Sequence, residues 1–449
     1  MLITHATVAT LGDDPRLIED GAILVRDTRI EAIGDTSTLS ARYPEEDQLD
    51  AAGQLAMPAA LCGHTHFYGA FARGWAYPGP PAATFTEILK RLWWRLDKKL
   101  TLEDVRYSAL VCLVDAIRHG TTTLIDHHAG PFAIEGSLDV IADAVLEAGV
   151  RASLAYEVSD RDGPSLARAG IDENVRFLGR LQQEPHPQLA ASFGLHASLT
   201  LSERTLADAV AAVTELAGGG HRCGFHIHGA EGIADVEDSL AKSGMRAIAR
   251  LGDAGILGPR TIVAHAVHAD DSEINLLAET GTWVTHQPRS NMNNAVGFAQ
   301  VERMLKAGVK VTLGNDGFSN NMAAEMKTAY LTHKLVQGDP RAMPADLVLR
   351  LAYDANAELA RVFWPEQQLG VLAPGAEADL VLIDYHPTTP LTAGNLPWHL
   401  IFGYEASTIT TTMSAGRLLM RGRELLTLDE AQITTRSREL AAALWRRAG

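Results

Sequence analysis

The sequence predicts an α/β protein: a (β/α)8 barrel of the TIM type, with a small β-sandwich built from its two termini. Three observations lead there. Eight apolar runs alternate with helical stretches inside one block of about 300 residues, the repeat expected of such a barrel. Nearly every run ends in His, Asp or Glu. The segments before and after this block read instead as short strands separated by turns. The expected boundaries are 1–56 for the N-terminal part of the sandwich, 57–366 for the barrel, and 367–449 for the C-terminal part and a closing helix.

Taken in order, Leu2–Leu11, Gly21–Arg26 and Arg29–Gly34 are strand-like, and nothing in them suggests chemistry. The first barrel run precedes Cys62-Gly-His-Thr-His66. The next two end at Thr121–His128 and Arg151–Glu157, and a fourth at Leu189–His196. The remaining four end at Cys223–His228, Thr261–His265, Thr282–His286 and Val309–Asp316. Helical spacing fills Leu102–Arg118, Ser137–Ala148, Ser202–Ala217 and Phe298–Ala307 between them. After the barrel, Ala378–Asp384, Ser407–Ser414 and Gly416–Met420 return to strands that pair with the N-terminal unit, and Leu428–Arg447 is helical.

Composition narrows the function. An apolar content of 46% with 21% charged residues is that of a globular protein. A formal charge of −16 argues against a nucleic-acid backbone or an anionic membrane as partner, and favours a small neutral or cationic substrate. The three cysteines, Cys62, Cys112 and Cys223, form no C-x-x-C pair and suit a reducing cytoplasm. No signal peptide is evident, and no run reaches the roughly 18 apolar residues of a membrane span.

The chemistry is expected where the strands end, because barrels of this type place it there. Ionisable groups gathered at such a rim are costly to bury unless paired or ligated. His64 and His66, two apart on a strand, point the same way and supply half of a tetrahedral metal site. His226 and His228 alternate likewise, and periodicity does not say which of them binds. Asp316 offers a carboxylate at the eighth strand. Three imidazoles and one carboxylate leave a position for water, whose pKa the metal lowers toward neutrality. Glu231 and His265 are then candidates to handle protons. No lysine ends the fourth strand, Gly194-Leu-His196, so a single metal is expected rather than a pair bridged by a carboxylated lysine.

These motifs resemble the amidohydrolase superfamily. The residues that carry the resemblance are Gly63-His-Thr-His66, His228-Gly-Ala-Glu231, Ala264-His-Ala-Val-His268, His286–Met292 and Leu313–Gly317. The closer similarity is to its chlorohydrolase and nucleobase-type deaminase branch. Trp93-Trp94, Ile125–Ala129 and Tyr156–Asp162 are similar to the aminohydrolases called SsnA. The resemblance implies that His64, His66, His228 and Asp316 ligate one zinc, or ferrous iron, per chain. It implies that Asp316 takes a proton from the water, that Glu231 shuttles it to a ring nitrogen and the leaving amine, and that His265 steadies the developing charge. It also implies a homo-oligomer acting on a purine, pterin, pyrimidine or triazine.

Residues beyond the ligand set are expected to set the substrate. His196 heads His-Ala-Ser-Leu-Thr, which lacks the Pro-Tyr of the family's His-Ala-Pro-Tyr-Thr. Arg289 and Asn291 lie on what reads as a loop after the seventh strand, where the plain alternative is that they merely order it. His127 and His128 end a strand without a ligand role, and His286 anchors backbone. The aromatic segment 67–94 either stacks on a flat ring or packs as a helix, Phe85–Leu96, on the barrel or on a second subunit. The leading expectation is hydrolytic deamination. Its alternatives are dechlorination or dealkylamination of a triazine, and a metal-binding barrel without catalysis.

Overall fold

The computed structural model describes residues 1–449 apart from 77–78, 219–222 and 406–407. Tyr77 of the aromatic segment and Ser407, the expected start of a C-terminal strand, lie outside the described residues.

Apolar, β-branched runs form the barrel wall. Its strands are Ala60–Thr65, Thr121–Asp126, Arg151–Leu154, Leu189–Ala191 with Phe193–Ala197, Phe225–Gly229, Ile262–His265, Trp283–His286 and Lys310–Leu313. They are parallel and pair in chain order in two arcs. Two seams close the circle. At one, the Val158 amide donates to the Gly194 carbonyl (3.2 Å) and the His196 amide to the Val158 carbonyl (2.9 Å). At the other, the Asn315 amide donates to the His64 carbonyl (2.9 Å) and the His66 amide to the Asp316 carbonyl (3.2 Å). Gly314 makes the second seam possible, because a Cβ there would lie 2.8 Å from the His64 backbone.

Helices cover the wall. Leu102–Arg118 and Asp271–Thr280 each begin with a capping box, Thr101 with Asp104 and Asp270 with Glu273. The helix expected over Phe298–Ala307 is shorter, Val301–Lys306, since Gly297 at φ 124° turns the chain first.

The termini meet as expected, through Leu55–Pro58 lying antiparallel to Leu380–Ile383. Hydrogen bonding then runs unbroken through eight strands, from Glu424–Leu425 to Arg29–Asp35, with Gln48–Asp50 added beside Leu2–Ala9 as the ninth. The sandwich is therefore a single sheet curled over, and the Ile30 amide donates to the Ala376 carbonyl across the fold (2.9 Å). Period-two alternation divides its faces. Val381 and Ile383 join Leu55 and Met57 in the large core shared with the barrel. Leu380 and Leu382 join Ile3, Val8, Ile23 and Met413 in the sheet's own core.

Candidate active site

The ends of the first, fifth, sixth and eighth strands bring five side chains to one point. Ala230, His265 and Asp316 all leave their strands in the left-handed region, at φ 49°, 75° and 57°. Such backbone costs free energy and is held where the surrounding structure fixes it, commonly at functional sites.

Each imidazole in the cluster has one nitrogen occupied and the other turned inward. His66 Nδ1 donates to the His127 carbonyl (2.6 Å), and His228 Nδ1 to the His196 carbonyl (2.7 Å). His64 Nδ1 meets His226 Nε2 (2.8 Å), and His265 Nδ1 meets Asn291 Oδ1 (2.8 Å). The Nε2 atoms of His66 and His228 then face each other at 3.2 Å. His66 Nε2 is 3.4 Å from Asp316 Oδ1, and His265 Nε2 is 3.5 Å from Asp316 Oδ2. His64 Nε2 and His265 Nε2 have no hydrogen-bond partner among the described residues.

This donor set fits a metal ion. Nδ1 donation to a carbonyl leaves Nε2 of His66 and of His228 as bare lone pairs, and two lone pairs at 3.2 Å repel unless a cation joins them. Occupation of the outer nitrogen by a carbonyl or a neighbouring side chain is the arrangement that orients metal-binding histidines. Burial, together with the neighbouring imidazoles, holds His64 well below its ordinary pKa, and burial does the same for His228. Neutral imidazoles are the form that ligates.

The two carboxyl groups are driven apart. Burial lifts Glu231 well above the usual carboxylate range, with nearby Asp316 adding to the shift. Burial would lift Asp316 too, but the imidazoles of His66 and His265, the Ser290 hydroxyl (2.6 Å) and the Gly317 amide (2.6 Å) hold it below its ordinary value. Glu231 Oε2 lies 3.7 Å from His265 Nε2, and Asn294 donates to its Oε1 (3.4 Å). Two carboxyls whose proton affinities are driven apart in a single cleft are suited to act as an acid/base pair.

The cluster opens into a cavity of about 540 Å³ lined in part by Tyr68, Phe85, Leu89, Trp93, Trp94 and Phe318. The aromatic segment divides between the core and the cavity wall. Phe67 and Phe71 are buried in the core, while the helical stretch from Phe85 presents a cavity wall. His196 also lines the cavity.

Arg289 and Asn291, expected to contact substrate, are not among the residues lining the cavity. The segment after the seventh strand is a helix, Pro288–Asn293, so Ser290, Asn293 and Asn294 share the face turned to the cavity. Arg289 points away, onto buried Glu325 (2.6 Å) and the Ser319 hydroxyl (3.0 Å). Asn291 reaches only His265 among the site residues.

Glu157 was missed. It lies on the cavity wall, 3.3 Å from His66 Nδ1 and 3.7 Å from His196 Nε2. Its position at the end of the third apolar run was the available signal. His127 also sits closer than expected, since ligating atoms of His64, His66, His127 and His228 all lie within 4.8 Å of one another. His226, one layer below His228 on the same strand, meets His64 instead of the cluster.

Residues 55–419 match the profile of the amidohydrolase family. The chain belongs to that family. Residues 21–45 of this amidohydrolase match an imidazolonepropionase-like composite domain of bacteria. It is 33% identical over 431 residues to the 5-methylthioadenosine/S-adenosylhomocysteine deaminase of Desulforudis audaxviator, covering 94% of this chain and 95% of that protein. It is 31% identical to the 5'-deoxyadenosine deaminase of Methanosarcina mazei over 99% of this chain and 98% of that one. The crystal structure of an adenosine deaminase from Xanthomonas campestris with bound zinc superposes with a TM-score of 0.84 at 26% identity, covering 99% and 98% of the two chains. No helix among the described residues is long and apolar enough to cross a membrane.

Proposed function

We propose that this amidohydrolase is a deaminase that hydrolyses the bond between an exocyclic amine and a heteroaromatic ring carbon, releasing ammonia. His64, His66, His228 and Asp316 would hold one zinc per chain. The observation that carries the reading is the convergence of bare imidazole lone pairs on Asp316, with buried Glu231 alongside, 3.7 Å from His265 Nε2. The relatives' names put aminopurine rings first among candidate substrates.

A zinc ion held there lowers the pKa of a bound water toward neutrality. The chain's own groups move the protons. Asp316, kept ionised, accepts one from the attacking water. Glu231, whose burial favours the protonated form, gives one to the ring nitrogen beside the attacked carbon, making that carbon electrophilic. The proton on Asp316 then passes to the amine, which leaves as ammonia while the remaining proton on the attacking oxygen returns to Glu231, giving a ring carbonyl and restoring both carboxyls. His265, fixed by Asn291, stands between the two carboxyls and steadies charge on the attacking oxygen.

The SsnA-type reading gains support from where its motifs fall, since Trp93, Trp94 and Glu157 all face the cavity. A homo-oligomer in the cytoplasm completes the proposal, in keeping with the sparse cysteines.

The test is ammonia release from purines, pterins, pyrimidines and triazines by the zinc-loaded protein. Glu231→Gln is expected to keep its zinc and lose roughly 10²- to 10⁴-fold in kcat. Full activity in that variant overturns the proton assignment. Chloride from a chlorotriazine in place of ammonia establishes the dechlorinase alternative, and metal binding with neither product establishes a barrel without catalysis.

A further inference from the structure

The cavity has a second polar end that the proton chemistry does not use. Glu157 has only 3% of its side chain exposed, yet it lies on the cavity wall, and its Oε1 has no hydrogen-bond partner among the described residues. Beside it, His196 Nδ1 lies 2.7 Å from Thr200 Oγ1, whose own hydroxyl donates to the Ala197 carbonyl (3.1 Å). Thr200 is therefore the acceptor, and the neutral His196 ring turns a bare Nε2 lone pair toward Glu157 Oε2, 3.7 Å away. Two neighbouring acceptors face the cavity, and the nitrogens nearest Glu157 Oε1, His66 Nδ1 (3.3 Å) and His127 Nδ1 (3.5 Å), make no hydrogen bond to it. Burying unmatched acceptors is costly, and a ligand supplying donors relieves that cost. Arg161, whose charge acts on Glu157, donates to Asp97 and ion-pairs with Asp162 (3.4 Å), and it makes no hydrogen bond to Glu157 among the described residues.

The spacing says which part of a substrate arrives there. Glu157 Oε1 and Asp316 Oδ1 flank opposite nitrogens of the same imidazole, 3.3 and 3.4 Å from His66 Nδ1 and Nε2. The two carboxyls therefore stand on either side of the His66 ring, and all three line the one cavity. A ring whose amine-bearing carbon is attacked near Asp316 turns its opposite edge to Glu157. Trp94, edge-on to His196 with centroids 6.2 Å apart, walls the same end.

We propose that Glu157, with His196, is the specificity determinant of this site: it selects free bases that carry a ring N–H on the edge opposite the leaving amine. Rings alkylated or glycosylated at that nitrogen are refused. In adenine that position is N9–H, and in cytosine it is N1–H. The chain therefore prefers the base to the nucleoside, unlike what the names of its relatives suggest for them. This rests on the deaminase reading above.

Two substrate pairs test it, adenine against 9-methyladenine and cytosine against 1-methylcytosine, followed by ammonia release with the zinc-loaded enzyme. Within whichever pair is turned over, the N–H member is expected to lead by about 100-fold in kcat/KM, mostly through KM, as when a buried acceptor loses its donor. Glu157→Leu removes the acceptor and brings the two members within about threefold of each other, with zinc content unchanged. Glu157→Gln keeps an acceptor oxygen and recovers most of the preference. Equal use of both members by the native enzyme overturns the proposal. Equal loss on both in Glu157→Leu, or loss of zinc, also overturns it, because Glu157 would then only support His66. If Glu157→Leu does not fold, the native pair and the Glu157→Gln KM values decide. If nothing releases ammonia the deaminase reading falls, and calorimetry of adenine against 9-methyladenine decides separately. About a tenfold preference for adenine upholds the determinant, and equal affinity removes it.

Discussion

The third barrel strand carries a buried polar cluster at each end, and the two are built in opposite ways. At its start, Arg151 is 1% exposed and every arm of its guanidinium is matched. It donates to Gln367 (2.6 Å), Glu377 (3.1 Å) and Asp379, and Asp379 also accepts from Thr122 (2.8 Å) and the Ala415 amide (2.7 Å). Past the strand's other end, Glu157 faces the bare Nε2 of His196 and the Nδ1 of His66, already given to the His127 carbonyl, and His66 faces His228 with lone pair against lone pair. A fully satisfied buried network fixes one arrangement and leaves nothing for a ligand to add. An unsatisfied one is a standing demand for a cation or a donor. The closed cluster fastens the curled terminal sheet to the barrel floor, and the open one is where chemistry is possible.

Removing metal breaks the open cluster and should leave the closed one intact. Chelation is expected to abolish turnover, and zinc to restore it. Because zinc binds the folded chain, restoring it at about 1,000 times its dissociation constant should stabilise by about 4 kcal/mol, read as a rise in Tm. An unchanged Tm would mean that the rim histidines hold no ion in the folded protein.

Arg151→Met attacks the other end. It leaves Asp379 a buried carboxylate without a cation and Glu377 with only Arg29 (3.2 Å), a loss of about 3–5 kcal/mol measured by denaturant unfolding. Zinc content and kcat of the folded fraction should not move. If kcat falls with stability, the two ends of the strand are coupled and the contrast between them fails.

The open cluster was the more legible in sequence. Period two puts His64 and His66 on one side of a strand, and a barrel must put its strand ends together, so Asp316 and the fifth-strand pair could be placed without coordinates. Depth could not. His226 and His228 share a face, and only the stagger of neighbouring strands sends one to His64 and the other to the rim. Arg289 failed for a related reason. A helix begins directly after the seventh strand, so facing goes by threes and fours and selects Ser290, Asn293 and Asn294. Glu157 was hidden because a single acid after a strand has no partner in sequence, and its meaning comes from His66 and His196 across the barrel. The closed cluster was invisible, since Arg151 meets residues more than 200 positions away.

Asp126, at the end of the second strand, lies between the two extremes and gives the finest test of the contrast. One oxygen accepts from the Phe67 amide (2.7 Å), and the other has no partner among the described residues. Burial pushes its pKa up to about 8, against the opposing effect of backbone amides. A carboxyl raised in the folded state binds its proton more tightly there than in the unfolded chain, where it titrates near about 4. Its contribution to stability is therefore fully present below about pH 4, declines as pH rises, and is gone above about pH 8. Asp126→Asn cannot ionise, so subtracting its melting curve from that of the native protein isolates this one group. The native Tm is expected to fall by a few degrees relative to the variant between pH 5 and pH 8, and to run parallel to it beyond pH 8. A constant gap would show that water or a cation satisfies the free oxygen, which would place Asp126 with the closed cluster.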